Sequence, residues 1–176
     1  MKNVNWNEVQ TSGTRLAPGG YVCGITTIED VEDKEYLKFE FDIAEGEFKN
    51  YYRALKDSKG FWGGSFIKSY KDTALGFFKQ MLTCFEKSNN GFKFNNNPQE
   101  FKRKYIGLVL GEEEYCKSDG TINKRLYVDS FKSVDEIRKG EFTVPPFKTL
   151  DGTPAKPTDT SDIDVIEDDD DDLPFA

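Results

Sequence analysis

The clearest pattern in the chain lies in residues 36–44. Leu37, Phe39, Phe41 and Ile43 alternate there with Lys38, Glu40 and Asp42. Period two puts one set on a buried face and the other on a wet face, so the stretch predicts a strand. Residues 21–28, rich in β-branched side chains, predict a strand before it. A polar arm, residues 1–17 with Trp6, leads into that strand through Pro18-Gly19-Gly20. Residues 48–55, after a turn at Glu45-Gly46, read as a third strand antiparallel to the second. Phe61-Trp62-Gly63-Gly64 follows, and paired glycines beside two large aromatics mark a close backbone approach.

The period then changes. Ala74, Leu75, Phe77, Phe78, Met81, Leu82 and Phe85 recur at helical spacing over residues 72–87. Asp72 is placed to cap that helix, residues 88–91 to end it, and Phe77, Phe78, Met81 and Phe85 are expected in the core. Residues 92–98 read as an Asn-rich loop and 99–104 as a short helical turn. Residues 105–114 and 125–131 predict a hairpin about the turn Ser118-Asp119-Gly120-Thr121. Ser133 and Glu136 have capping-box spacing for a short helix ending at Gly140, and Pro145-Pro146 closes the body. The expected fold class is therefore mainly β: three strands, a helix, then two strands. That is the order of an oligonucleotide-binding fold, a five-stranded Greek-key barrel with a helix between strands three and four.

Charge divides the chain at about residue 150. Residues 151–176 hold ten acids and one base, net -9, whereas residues 1–150 hold 22 acids and 23 bases, net +1. The expected organisation is a near-neutral domain, 1–150, and an acidic tail, 151–176, whose composition predicts disorder. The overall charge of -8 thus leaves a nucleic-acid partner open.

The chain has no histidine, which removes Ser-His and Cys-His nucleophile pairs. Cys23, Cys84 and Cys116 lack metal-ligand spacing, so neither a metal nor another cofactor is expected. No apolar h-region opens the chain and no apolar run approaches transmembrane length, so a cytoplasmic protein with reduced thiols is expected. Carboxylates Glu112, Glu113 and Glu114 alternate faces if they lie on a strand, which argues against a metal-dependent nuclease. The chain is not expected to be an enzyme.

Two stretches and the tail carry a resemblance. Leu37-Lys38-Phe39-Glu40-Phe41-Asp42-Ile43-Ala44-Glu45-Gly46 with Tyr51-Tyr52 is one. Residues 107–131, with Gly111-Glu112-Glu113-Glu114-Tyr115, Asp119-Gly120, Arg125-Leu126 and the following Ser133-Val134-Asp135-Glu136-Ile137-Arg138, are the other. The tail, Asp168, Asp169, Asp170, Asp171, Asp172, Leu173, Pro174 and Phe175, is similar to acidic tips that end in aspartates, an aliphatic residue, Pro and Phe. Together they resemble the phage- or prophage-encoded single-stranded DNA-binding proteins of Gram-positive hosts. The chain departs in one place: Ala176 follows Phe175, where partners of the bacterial proteins read a terminal Phe carboxylate.

The resemblance implies sequence-independent binding and protection of single-stranded DNA during phage DNA replication and recombination, in the cytoplasm of a bacterial host and without catalysis. It implies replication or recombination proteins as partners of the tail, and leaves monomer and homodimer both open. A 26-residue flexible tail spans roughly 25–30 Å, enough to reach a groove on its own domain and compete there with DNA.

Single strands are held by aromatic faces that stack bases and by cations along the phosphates. The expected contacts are Tyr36 and Lys38 on strand two and Lys49, Tyr51 and Arg53 on one face of strand three. An inward Tyr51 with Tyr52 outside is the alternative. Phe61 and Trp62 read as loop stackers or as an apolar lid or oligomer contact. Lys68 and Tyr70 continue the mixture. Tyr115, Lys117, Lys124, Arg125 and Tyr127 lie on the late hairpin, which either closes over a bound strand or is ordinary solvated structure. A DNA-mimic or protein-interaction module is the competing function, and it would place acids over the folded body.

Overall fold

The computed structural model describes residues 2–4 and 15–150. Five antiparallel strands form one sheet: β1 (Gly19–Val31), β2 (Tyr36–Ile43), β3 (Ser65–Ser69), β4 (Tyr105–Cys116) and β5 (Ile122–Lys132), in the order β3-β2-β1-β4-β5. β1 is the central strand. Its first half pairs with β4 and its second with β2, and a bulge between Ile25 and Thr27 bends it between the two tasks.

The sheet is open, where a closed barrel was expected. β3 and β5 are its edges, and no backbone ladder joins them among the described residues. Side chains alone meet across the seam, with the rings of Phe66 and Phe131 at 5.3 Å.

Alternation on β2 holds for Leu37, Phe39, Phe41 and Ile43, which are all buried. Each such burial stabilises the fold by about 1.5–3 kcal/mol. They pack with Phe66, Phe101 and the buried stripe Phe78, Met81 and Phe85 of helix α2 (Leu75–Ser88), which lies between β3 and β4 as expected. Leu75 and Phe77, read as part of that stripe, are 48% and 63% exposed. They sit beside the stripe, not on it. Asp72 opens a short 3-10 turn and makes no side-chain cap. On the sheet's other face, helix α3 (Val134–Arg138) buries Val134 and Ile137 against Val22 and Val109. The predicted capping box is formed. Ser133 Oγ accepts from the Glu136 N–H, and Glu136 Oε2 accepts from the Ser133 N–H at 2.7 Å.

Residues 48–55 are not a strand. After a turn at 46–50 they enter helix α1 (Tyr51–Lys59). Phe48, Tyr51, Tyr52 and Leu55 are spaced i, i+3, i+4, i+7, a helical stripe, whereas neither period-two face of the segment is wholly apolar. The remaining cause is Asp42. It was read onto the wet face of β2, yet it is 7% exposed. Its carboxylate accepts the N–H groups of Tyr52 (2.9 Å), Arg53 (3.2 Å) and Ile43 (2.9 Å), satisfying first-turn donors of α1. The third strand is instead the five-residue β3, entered through Gly64. A Cβ on Gly64 would lie 2.5 Å from the Phe41 carbonyl oxygen and 2.6 Å from the Tyr52 ring.

Candidate nucleic-acid interface

The expected contacts fall into three places. The first is the rim built by α1. Half-buried rings run from Tyr21 on β1 to Phe48 (6.0 Å between centroids), then Tyr51 (6.1 Å), buried Tyr52 (5.2 Å) and half-buried Trp62 (6.4 Å). The Trp62 indole N–H donates to the Gly64 carbonyl at 3.1 Å, which fixes the ring. Phe61, its neighbour, is half-buried. Lys49, Tyr51 and Arg53 do not share a face, because a helix turns Tyr51 inward and Arg53 out. The alternative reading fails at Tyr52, which is buried, while Tyr51 is half-buried beside it. Basic residues still border the rings. Lys56 lies one turn beyond Tyr52 and Arg53 lies three residues before Lys56. Arg53, Lys56 and Lys59 are exposed and form no ion pair among the described residues.

Burial dominates the chemistry under this rim. It pushes the Tyr21 phenol up to about 12, while its hydroxyl donates to the Ala17 carbonyl at 2.5 Å. Burial also raises Asp42 from its ordinary value, against the opposing pull of three N–H donors, and holds the Cys23 thiol well above the usual range.

The second place is the outer face of β2 and β3. Tyr36 and Lys38 are half-buried there, opposite Ser69 and Ile67. Glu29, beside Lys38 on β1, offsets its charge. Lys68 does not belong to this face. It pairs with Leu37, so it points with Leu37 to the core side, and its ammonium sits 4.9 Å from the Phe131 ring. Tyr70, just past β3, donates to Asp30 at 2.8 Å, and that bond raises its phenol to about 12.

The third place is the β4–β5 hairpin, whose outer half projects beyond β1. Tyr115, Arg125 and Tyr127 share one face of it and Lys124 lies on the other. Arg125 stacks 4.9 Å over the Tyr115 ring and pairs with Glu113 at 2.9 Å. Lys124 lies 5.0 Å over the Phe147 ring, and Lys148 lies 4.3 Å over the Tyr127 ring. Lys117, in the turn, is half-buried. Residues after α3 strap this hairpin. Lys148 forms a parallel bridge to Glu113, donating to the Glu112 carbonyl (3.0 Å) and accepting from the Glu114 N–H (2.8 Å). The three glutamates are occupied too: Glu112 pairs with Arg15 at 3.0 Å, Glu113 with Arg125, and Glu114 accepts from the Leu150 N–H at 3.2 Å.

Sequence reasoning missed Tyr21, Phe48, Phe147 and Lys148 because each looked like strand or linker filler. Trp6 and the tail, including residues 168–175, lie outside the described residues. No group of three His, Cys, Asp or Glu side chains among the described residues could hold a metal ion. No helix among them is long and apolar enough to cross a membrane. Comparison with protein-family models and with curated proteins returned no match.

Proposed function

We propose that this protein binds single-stranded DNA without sequence preference and shields it during phage replication and recombination in a bacterial cell. The observation that carries the reading is the run of rings from Tyr21 to Trp62, bordered by exposed Arg53 and Lys56. Aromatic faces accept any base, and cations along them follow the phosphates. Tyr36 and Lys38 extend the surface along β2. The strand order, with α2 between the third and fourth strands, supports an oligonucleotide-binding fold whose closing strand pair is left open. The acidic tail competes for the same cations and recruits replication or recombination proteins through Leu173, Pro174 and Phe175.

Titrating tryptophan fluorescence of a Trp6→Phe chain with oligo(dT), at low and high salt, tests this directly through Trp62. Quenching that weakens with salt is expected. Changing Asp168 to Asp172 to Asn in the full-length chain should tighten binding. Absence of quenching, together with no mobility shift at low salt, would sink strand binding and favour a protein-interaction module.

A further inference from the structure

Lys68 stands where period two calls for a core side chain. Its strand partner Leu37 is 2% exposed, and its neighbour on the same face, Phe66, is 9% exposed. The lysine stem lies along this apolar face, and the ammonium emerges at the open seam between β3 and β5. There it sits between two rings, 4.9 Å from the centroid of Phe131 and 5.8 Å from that of Phe77. No carboxylate pairs with it among the described residues. Desolvation accordingly lowers its pKa from the ordinary lysine value.

Phe77 is the second anomaly. It is 63% exposed, the most exposed large apolar side chain among the described residues, and Leu75 beside it is 48% exposed. Between them, a side chain at Gly76 would meet nothing within 4 Å. The seam thus presents an open aromatic face and, next to it, a half-buried cation lacking a counter-ion.

We propose that Phe77 and Lys68 form a nucleotide subsite at the β3–β5 seam, Phe77 stacking a base and Lys68 binding that nucleotide's phosphate. A nucleotide satisfies both anomalies at once, because its base is a flat π surface and its phosphate is an anion a short distance away. An apolar peptide would cover Phe77 and bury Lys68 further, still unpaired, at greater cost. This subsite rests on the strand-binding reading and adds to it a contact away from the α1 rim.

The test compares oligo(dT) with an abasic oligonucleotide of equal length, on full-length protein. Phe77→Ala should weaken oligo(dT) binding by about 5- to 150-fold and leave abasic binding unchanged. Phe77→Tyr should restore it. Lys68→Met should weaken both ligands and flatten the salt dependence by about 0.7 in log–log slope. Thermal melts check that each variant folds, and exposed Phe77 gives little reason for loss. Unchanged oligo(dT) affinity in Phe77→Ala, with wild-type binding intact, overturns the subsite and leaves the broader reading standing. Wild-type protein that binds neither oligonucleotide sinks both. A Phe77→Ala change that splits a dimer without altering affinity assigns the ring to a second copy and also overturns the subsite.

Discussion

The α1 rim and the β4–β5 hairpin both look basic and aromatic in sequence, yet they use their cations differently. On the hairpin, Arg125 is paired with Glu113 and stacked on Tyr115, while Lys124 and Lys148 lie over the Phe147 and Tyr127 rings. On α1, Arg53, Lys56 and Lys59 point outward without ion pairs among the described residues. Salt-dependent affinity comes from cations that replace counter-ions on phosphates. A cation already matched to a carboxylate contributes less. Counting Lys and Arg in the sequence therefore overstates the hairpin, and the helix carries the available charge.

The strongest way to break this comparison is to remove what holds α1. Asp42→Ala leaves the N–H groups of Tyr52 and Arg53 without their acceptor beneath the helix. A loss of about 2–3 kcal/mol in urea unfolding is expected, since hydrogen bonds to a charged group are involved. Asp42→Asn keeps one acceptor oxygen and should cost less. Weaker oligo(dT) binding should accompany the alanine variant. Equal stability of wild type and Asp42→Ala would show that something else sets the helix.

Next in size is a direct exchange of charges. Replacing Arg53, Lys56 and Lys59 together by Gln should weaken oligo(dT) binding on the order of tenfold and flatten the log–log salt slope by about 2. Replacing Lys124 and Arg125 by Gln should change the slope by less than about 1. Similar slopes for the two variants would end the distinction between the regions.

What was legible in the sequence depended on how local each signal is. β2 could be read because its period is local: Leu37, Phe39, Phe41 and Ile43 suffice. The Ser133–Glu136 box was legible for the same reason. α1 was not, although Phe48, Tyr51, Tyr52 and Leu55 keep helical spacing, because the Asp42 side chain that caps it comes from the preceding strand, ten residues before Tyr52. β3 hid because Ser65-Phe66-Ile67-Lys68-Ser69 is short and puts a lysine on the inward face. The placement of the expected contact residues was less legible. Lys49, Tyr51 and Arg53 were grouped on a strand face that does not exist, and Phe77 was assigned to a core that it only borders.

A smaller effect, about 1 kcal/mol, is expected far from both cation sets, at α3. Ser133→Ala removes one half of the capping box. Its other half gives the pH dependence. Hydrogen bonds from Ser133 lower Glu136 below its ordinary 4.5, and the Arg138 hydrogen bond lowers Glu45. A depressed carboxylate stabilises the fold above its unfolded pKa, and that contribution disappears as pH falls through the folded value. The melting temperature should thus fall on acidification below about 4.5. Glu136→Gln should make that decline shallower. Asp42, whose pKa is raised, contributes with the opposite sign: its share is complete at low pH and is lost as pH rises through the raised value. Wild-type and Glu136→Gln melts with the same pH dependence between 6 and 3 would refute this assignment for Glu136.

The smallest expected change in stability is the most informative about charge. Glu113 and Arg125 are each about one-fifth exposed at the side chain, and the pair joins β4 to β5 at 2.9 Å. Glu113→Gln should cost only about 0.2–1 kcal/mol, the range for ion pairs in reach of water. It also removes the charge of the Glu113 carboxylate beside Arg125 while leaving the guanidinium stacked on Tyr115. If neutralisation is what silences the hairpin, this variant should bind oligo(dT) more tightly than wild type, with a salt slope steeper by up to about 0.7. Arg125→Gln should then do nothing to the slope in the wild-type background but reverse the gain in the Glu113→Gln background. A Glu113→Gln variant with unchanged affinity and slope would place the hairpin outside the path of the strand, whatever the state of its charges.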